Sequence, residues 1–291
     1  MSRIETFDTS SWQPALDNAT ASRALEALEG GRILCFPKLR FAMTPEEARF
    51  LAAGWSGAAK NISYETANDT LKGTAATGDH AAALRRLMIR YAQAAQALLE
   101  AVIPAYRGHL ALARTSFRPV EVAGRQRSPR QDDTRLHVDA FPSRPTGGRR
   151  ILRVFSNVDA EGRPRHWRVG GPFETVARRF FASLPAPWPG SAAALAAIGL
   201  TKGRRAAYDH YMLRLHDAMK LDAAYQAREG TEAIAFPAGT SWIVFTDQVP
   251  HAAVAGCNAL EQTFHLEPMH MKHPERSPLR VLEDLAGRSL A

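Results

Sequence analysis

Thr134-Arg135-Leu136-His137-Val138-Asp139-Ala140-Phe141-Pro142 is the stretch from which the rest of the chain can be read. In an extended strand, residues i and i+2 face the same way. His137 and Asp139 would then stand side by side, an imidazole next to a carboxylate. A third ligand has to arrive from elsewhere, and the best one is His251, in Asp247-Gln248-Val249-Pro250-His251. Two histidines and one carboxylate leave about three positions open on an octahedral metal. The His-x-Asp spacing is common by itself, so the weight falls on its surroundings.

The chain has 291 residues, enough for one large β-rich domain or two ordinary ones. Its 45% hydrophobic and 23% charged residues give a normal core, not a disordered chain. No apolar run reaches the roughly 18 residues a membrane span requires. The N-terminus, Met1-Ser2-Arg3-Ile4-Glu5-Thr6, lacks the charged-then-apolar plan of a signal peptide. Cys35 and Cys257 are too few for a disulfide framework; they suit a reducing cytoplasm and read as small core residues.

Net charge is +8, from 37 basic and 29 acidic residues. Such a surplus attracts polyanions: nucleic acid, an anionic membrane or a phosphorylated substrate. Eleven arginines lie between positions 125 and 168, around the His-x-Asp stretch. No zinc-finger, helix-turn-helix or RNA-binding signature accompanies them. Clustering at the chemistry favours an anionic substrate over a nucleic-acid partner.

The first third reads as mostly helical. Residues 22–29 form a helix stopped by Gly30-Gly31, and residues 32–36 a short strand ended by Pro37. Thr44-Pro45-Glu46-Glu47 is a capping box with proline at the first helical position. Residues 60–77 read as a loop. Asp79 is expected to cap a long helix with Leu84, Leu87, Met88, Tyr91, Ala95, Leu98 and Leu99 on one stripe, ended by Pro104. Alternation begins near Thr115, with strands over 116–122, 135–140 and 151–158. On the last of these, Arg153 and Asn157 share a face with Ile151 and Phe155, the mixture of a ligand cavity. Helix returns over 170–229, carrying His210 and His216 as ordinary, partly exposed histidines. Strands resume over 241–246 and 259–266, and a short helix ends the chain near 278–286. A helical block interrupting antiparallel strands, with His-x-Asp early and a lone histidine late, matches a jelly-roll of the double-stranded β-helix kind. The expected class is α+β: one domain over 1–291, with a helical part at 1–110, barrel strands at 115–160 and 231–268, and a helical insertion at 170–229.

With these features the chain looks like a 2-oxoglutarate-dependent oxygenase. His137-Val138-Asp139-Ala140-Phe141-Pro142-Ser143-Arg144-Pro145-Thr146-Gly147-Gly148, followed by Leu152-Arg153-Val154-Phe155-Ser156-Asn157-Val158, resembles the bacterial Kdo 3-hydroxylases more closely still. So do Lys60-Asn61-Ile62-Ser63-Tyr64, Phe245-Thr246-Asp247-Gln248-Val249-Pro250-His251 and Leu260-Glu261-Gln262-Thr263-Phe264. The resemblance implies an Fe(II)/2-oxoglutarate/O2 dioxygenase that hydroxylates carbon 3 of Kdo on Kdo-lipid A, at the cytoplasmic side of the inner membrane, with release of succinate and CO2. It implies His137, Asp139 and His251 as iron ligands and peripheral contact with an anionic membrane. Many members of the wider superfamily hold the far carboxylate of 2-oxoglutarate with an arginine about ten residues beyond the distal histidine; here Glu261 and Gln262 stand there. Arg153 is therefore expected to take that role, since its fork suits a carboxylate, with Asn157 and Gln262 as auxiliary donors. Arg153 could equally bind a substrate carboxylate or pair with an acid. Lys60, Arg127 and Arg144 are the expected contacts for the Kdo carboxylate or lipid phosphates.

Three other readings compete. A basic cupin-like binding protein would take up no iron and form no succinate. A zinc site would use His265, His270 and His273 in the tail. A different 2-oxoglutarate oxygenase would act on another anionic small molecule.

Overall fold

The chain begins with β1 (Ile4–Thr6), α1 (Asn18–Glu29) and β2 (Ile33–Phe36) in the computed structural model, which describes residues 2–57, 59, 61–125, 127–227 and 231–291. Helix α2 (Pro45–Ala48) leads to the hairpin of β3 (Ile62–Glu65) and β4 (Thr70–Lys72), and then to the long α3 (Gly78–Val102). Strands β5 (Ala111–Arg118), β6 (Arg150–Asn157) and β7 (Arg165–Val169) follow. A helical block of α4 (Phe173–Phe180), α5 (Ser191–Ala197), α6 (Ala207–Leu221) and α7 (Ala223–Gln226) comes next. The last elements are β8 (Glu232–Phe236), β9 (Ser241–Phe245), β10 (His251–Ala255), β11 (Ala259–Leu266) and α8 (Pro278–Ala286). No described helix is long and apolar enough to cross a membrane.

Two sheets carry the mixed α/β architecture. The larger has the order β1-β2-β9-β6-β11-β5-β3-β4, antiparallel except for the β1–β2 pair; the smaller is β10-β7-β8, antiparallel throughout. Strand β6 sits between β9 and β11 and is buried at every residue, its polar Arg150, Arg153, Ser156 and Asn157 included, because it has neighbours on both edges and packing on both faces. Leu152 and Val154 face one way, into a core shared with Leu98 and Leu99 of α3 and Leu28 of α1. Phe155 faces the other way, against Trp167 of β7 and Trp242 of β9. Helices thus cover one face of the large sheet and the small sheet covers part of the other. Tyr91 of α3 pins this arrangement by donating its hydroxyl to the Val154 carbonyl at 3.1 Å.

Several local expectations need correction. The His-x-Asp stretch is not a strand: it is extended chain touching β10 through one isolated bridge, His137 to His251. Residues 60–77 are not simply a loop, because the alternately buried Ile62 and Tyr64 place β3 on β5. The first third is less helical than expected, since it supplies both edges of the large sheet, β1–β2 and β3–β4. Helix α3 starts after Thr77, with Asp79 inside its first turn. Strand β5 stops at Arg118, before Pro119, whose missing N–H ends the ladder. The capping box at Thr44 and Glu47 forms as expected, at 3.2 and 2.8 Å. Both cysteines are free and buried.

Candidate metal centre

His137 donates its backbone N–H to the His251 carbonyl at 3.0 Å and accepts the His251 N–H at 2.8 Å. Asp139 continues the segment by donating its N–H to the Thr246 carbonyl at 2.8 Å. On the far side, Leu136 and Val138 are buried in a core with α4, α6 and α8. The Gln226 amide completes the clamp, accepting the Leu136 N–H at 2.9 Å and donating to the Leu136 carbonyl at 3.0 Å. A stretch that touches a strand through only one bridge is thereby held on both edges.

One ligand atom each from His137, Asp139 and His251 lies within 4.8 Å of the others, the one such group among the described residues. His137 Nε2 is 3.9 Å from Asp139 Oδ1. Each imidazole places Nδ1 on the carbonyl two residues earlier, His137 on Arg135 at 2.8 Å and His251 on Val249 at 2.9 Å. A carbonyl can only accept, so Nδ1 carries the proton and Nε2 keeps its lone pair. Burial, then the neighbouring His251 and Lys220, holds His137 well below its ordinary pKa; burial lowers His251 as well. For Asp139, burial alone would raise the carboxyl, but Arg153, His251 and His137 outweigh it and hold it low. Two neutral imidazoles and an ionised carboxylate are the protonation states a divalent cation requires. The residues present fit an octahedral metal with open positions.

Beside the triad lies a cavity of about 160 Å³ whose further lining includes Arg118, Arg153, Arg165, Phe155 and Trp167. Trp167 stacks on His251 at 5.0 Å. Two of the three guanidinium groups are already engaged. Arg118 donates to Glu261 at 2.8 Å; Arg153 Nη1 lies 3.1 Å from Asp139 Oδ2 and 3.3 Å from Glu261 Oε1. Arg165 differs. It is 3% exposed, it donates to the Gly256 carbonyl at 2.9 Å, and no carboxylate among the described residues is in contact with it, Glu261 and Glu121 acting only from farther off. Burial, reinforced by Arg118, pushes it down to about 10.

The other expected site residues fall in different places. Arg153 points inward as expected, but toward Asp139 and Glu261. Asn157 does not reach the cavity: its amide donates to the carbonyls of Arg163 and Phe236 at 2.9 and 3.0 Å, and its Oδ1 accepts from Asp159 N. Gln262 is on the wrong face of β11. It pairs with Val154 and accepts from Thr115 Oγ1 at 2.5 Å, while Glu261, one residue earlier, pairs with Phe155 and turns to Arg118 and Arg153. Arg127 lines a wider cleft of about 700 Å³ that opens onto His137 and Asp139, together with Arg130, Lys220 and His216. His216 is closer to the chemistry than expected, with its ring edge on His137 at 5.3 Å. Arg144 pairs with Glu65 at 2.5 Å in a separate cavity of about 250 Å³. Lys60 lies outside the described residues. The tail histidines are spoken for separately: His265 donates to Arg150 O, His270 stacks on His109, and His273 meets Glu26.

A family model for 3-deoxy-D-manno-oct-2-ulosonic acid (Kdo) hydroxylase matches residues 11–289. Among solved structures, the chain is similar to the Kdo hydroxylase KdoO, a non-heme Fe(II) α-ketoglutarate-dependent dioxygenase, in complex with α-ketoglutarate and Fe(III). Identity is 49% over 99% of this chain and 97% of that one, at a TM-score of 0.96. The cobalt(II) complex of KdoO superposes at a TM-score of 0.97 and the succinate and Fe(III) complex at 0.96, with the same identity and coverage. A search of curated protein sequences finds no match.

Proposed function

The chain belongs to the Kdo hydroxylase family, and on that premise we propose that it is an Fe(II)/2-oxoglutarate/O2-dependent dioxygenase hydroxylating carbon 3 of Kdo on Kdo-lipid A. The two sheets are read as a double-stranded β-helix core, and the whole chain as one oxygenase domain. Bound iron and 2-oxoglutarate supply the oxidising power that turns an unactivated C–H into C–OH, one atom of O2 going to the sugar and the other to succinate, with loss of CO2. The protein's own residues position and shield that chemistry.

His137, Asp139 and His251 hold the metal. Arg153 holds Asp139 Oδ2, leaving Oδ1 toward the imidazoles, and Glu261 holds Arg153 in turn. An arginine so engaged is poorly placed to anchor the far carboxylate of 2-oxoglutarate. We assign that role to Arg165, because a buried cation with Glu261 and Glu121 only at longer range, and no carboxylate in contact among the described residues, is costly unless a ligand supplies one. Trp167 and Phe155 keep water from the same wall. Substrate enters by the wide cleft, where Arg127, Arg130 and Lys220 favour the Kdo carboxylate; Arg144 and Lys60 are secondary. The protein acts on the cytoplasmic side of the inner membrane, in peripheral contact with it.

One observation carries the reading: three ligand atoms within 4.8 Å, with both imidazole Nδ1 atoms on backbone carbonyls. The test is anaerobic loading with Fe(II) and 2-oxoglutarate, then O2, with mass analysis of Kdo-lipid A. The expected product carries one added oxygen, with succinate formed in equal amount. Failure to take up iron, or an unmodified Kdo-lipid A, overturns it.

A further inference from the structure

Residues 181–200 contain no charged side chain, and none of them is buried. An apolar segment normally hides its large side chains. This one displays them: Trp188 is 82% exposed, Ile198 69% and Leu200 61%. The short helix α5 (Ser191–Ala197), in the middle of the segment, buries no residue against the rest of the fold.

The root of the segment is well fixed. Phe181 packs on Tyr211 at 5.1 Å, and His210 donates to the Pro185 carbonyl at 2.9 Å. At the other end, Lys202 N donates to Ser143 O at 2.8 Å and Arg205 donates to the Pro142 carbonyl. Pro142 also lines the wide cleft above His137 and Asp139. The C-terminal root of the apolar segment, just after Leu200, therefore stands beside the rim of the substrate entrance. A basic rim follows it, since Lys202 and Arg204 are exposed and no carboxylate pairs with either among the described residues. Arg205 and Arg214 stand close enough to His210 to lower its pKa, after burial.

We propose that residues 181–205 form a lipid-docking lobe, with Trp188, Ile198 and Leu200 entering the interface of an anionic phospholipid membrane and Lys202, Arg204 and Arg205 meeting its headgroups. Large apolar side chains at a protein tip, a tryptophan among them and basic residues behind, match the bilayer interface in order of depth. A second copy of the chain fits less well. A twofold interface sets a patch against itself, and would bring this basic rim against its own image. The inference deepens the reading of a lipid-linked substrate and rests on it only for the cleft's orientation: docking here turns the entrance toward the headgroups.

Co-sedimentation of the full chain with vesicles tests it, comparing phosphatidylcholine mixed with phosphatidylglycerol against phosphatidylcholine alone. No Kdo is present, so the result is independent of whether the catalytic reading holds. Binding is expected to the mixed vesicles, with a blue shift of Trp188 emission and weakening as salt rises. The combined Trp188→Ser, Ile198→Ser and Leu200→Ser variant should lose more than about tenfold in partitioning; Lys202→Glu with Arg204→Glu should lose binding to the mixed vesicles selectively. Unchanged cobalt(II) uptake by both variants shows that they are folded. Equal vesicle binding by the serine variant overturns the proposal, as does absence of binding to either vesicle. So does a wild-type dimer that the serine variant makes monomeric.

Discussion

His137 and His251 exchange both backbone hydrogen bonds across a single antiparallel bridge, although they come from opposite halves of the chain. Residues directly opposite in such a bridge have Cβ atoms about 4.5–5.5 Å apart, so the backbone itself brings the two imidazoles together. Asp139, two residues on, follows on the same side. Replacing His137, Asp139 or His251 by alanine should therefore weaken metal binding by more than the roughly 10- to 100-fold typical of losing a supporting partner. Titration with cobalt(II), followed by its visible absorption, measures this, and succinate formation should cease in the iron-loaded enzyme.

The proposed anchor Arg165 and the Asp139-paired Arg153 should be separable by mutation. Loss of a charge-assisted bond costs about 1.5–3 kcal/mol, so Arg165→Met should raise KM for 2-oxoglutarate by about 10- to 100-fold while leaving cobalt(II) affinity near wild type. Arg153→Ala should do the reverse, weakening metal binding through a loosened Asp139 and moving KM little. An unchanged KM in Arg165→Met would return the cosubstrate anchor to Arg153.

Gly256 lies just beyond the irregular register at the end of β10, at φ +104. A Cβ there would meet Pro164 O at 2.9 Å and the Arg165 Cα at 3.0 Å, both backbone. Gly256→Ala should cost about 1–3 kcal/mol of stability, read as a lower urea midpoint. It should also raise KM for 2-oxoglutarate, because Arg165 is the residue pushed.

Metal-free protein should lose stability to acid in two stages. Burial pushes His265 down to about 4 from 6.5, with the Arg150 carbonyl opposing. The unfolded chain then binds the proton more readily, so stability is full above pH 6.5 and falls toward about pH 4, at up to roughly 1.4 kcal/mol per pH unit. His137 and His251, also held low, act in the same direction. Asp159 behaves as a carboxylate: burial opposes, but hydrogen bonds from Arg163 hold it at about 2, below 3.8. Its contribution is present above pH 3.8 and disappears as pH falls to about 2. Urea midpoints across both windows check this, and His265→Asn should flatten part of the upper limb while sparing the lower.

The cluster of His137, Asp139 and His251 was legible in sequence because ligand chemistry constrains residue type, and the surrounding blocks pointed to which histidine came third. Arg165 was not. In Arg165-His166-Trp167-Arg168-Val169 the inward positions carry an arginine and a tryptophan, so a true period-two strand looks merely charged. On β11, Glu261 and Gln262 are both polar and both buried, and composition alone cannot say which of the two meets Arg118 and Arg153. Strands β1 and β4, three residues each, are too short to display a period. For Asn157, the inward parity was right, but the strand ends there and the amide satisfies turn carbonyls instead.

A bound divalent ion at the His137–His251 bridge would act as a removable rivet between chain segments that are remote in sequence. Clips that close long loops restrict the unfolded chain most, so iron or cobalt should lift the melting temperature in proportion to the logarithm of its free concentration, and chelators should undo the gain. The same ion that confers chemistry would thereby help decide how much of the protein stands folded at all.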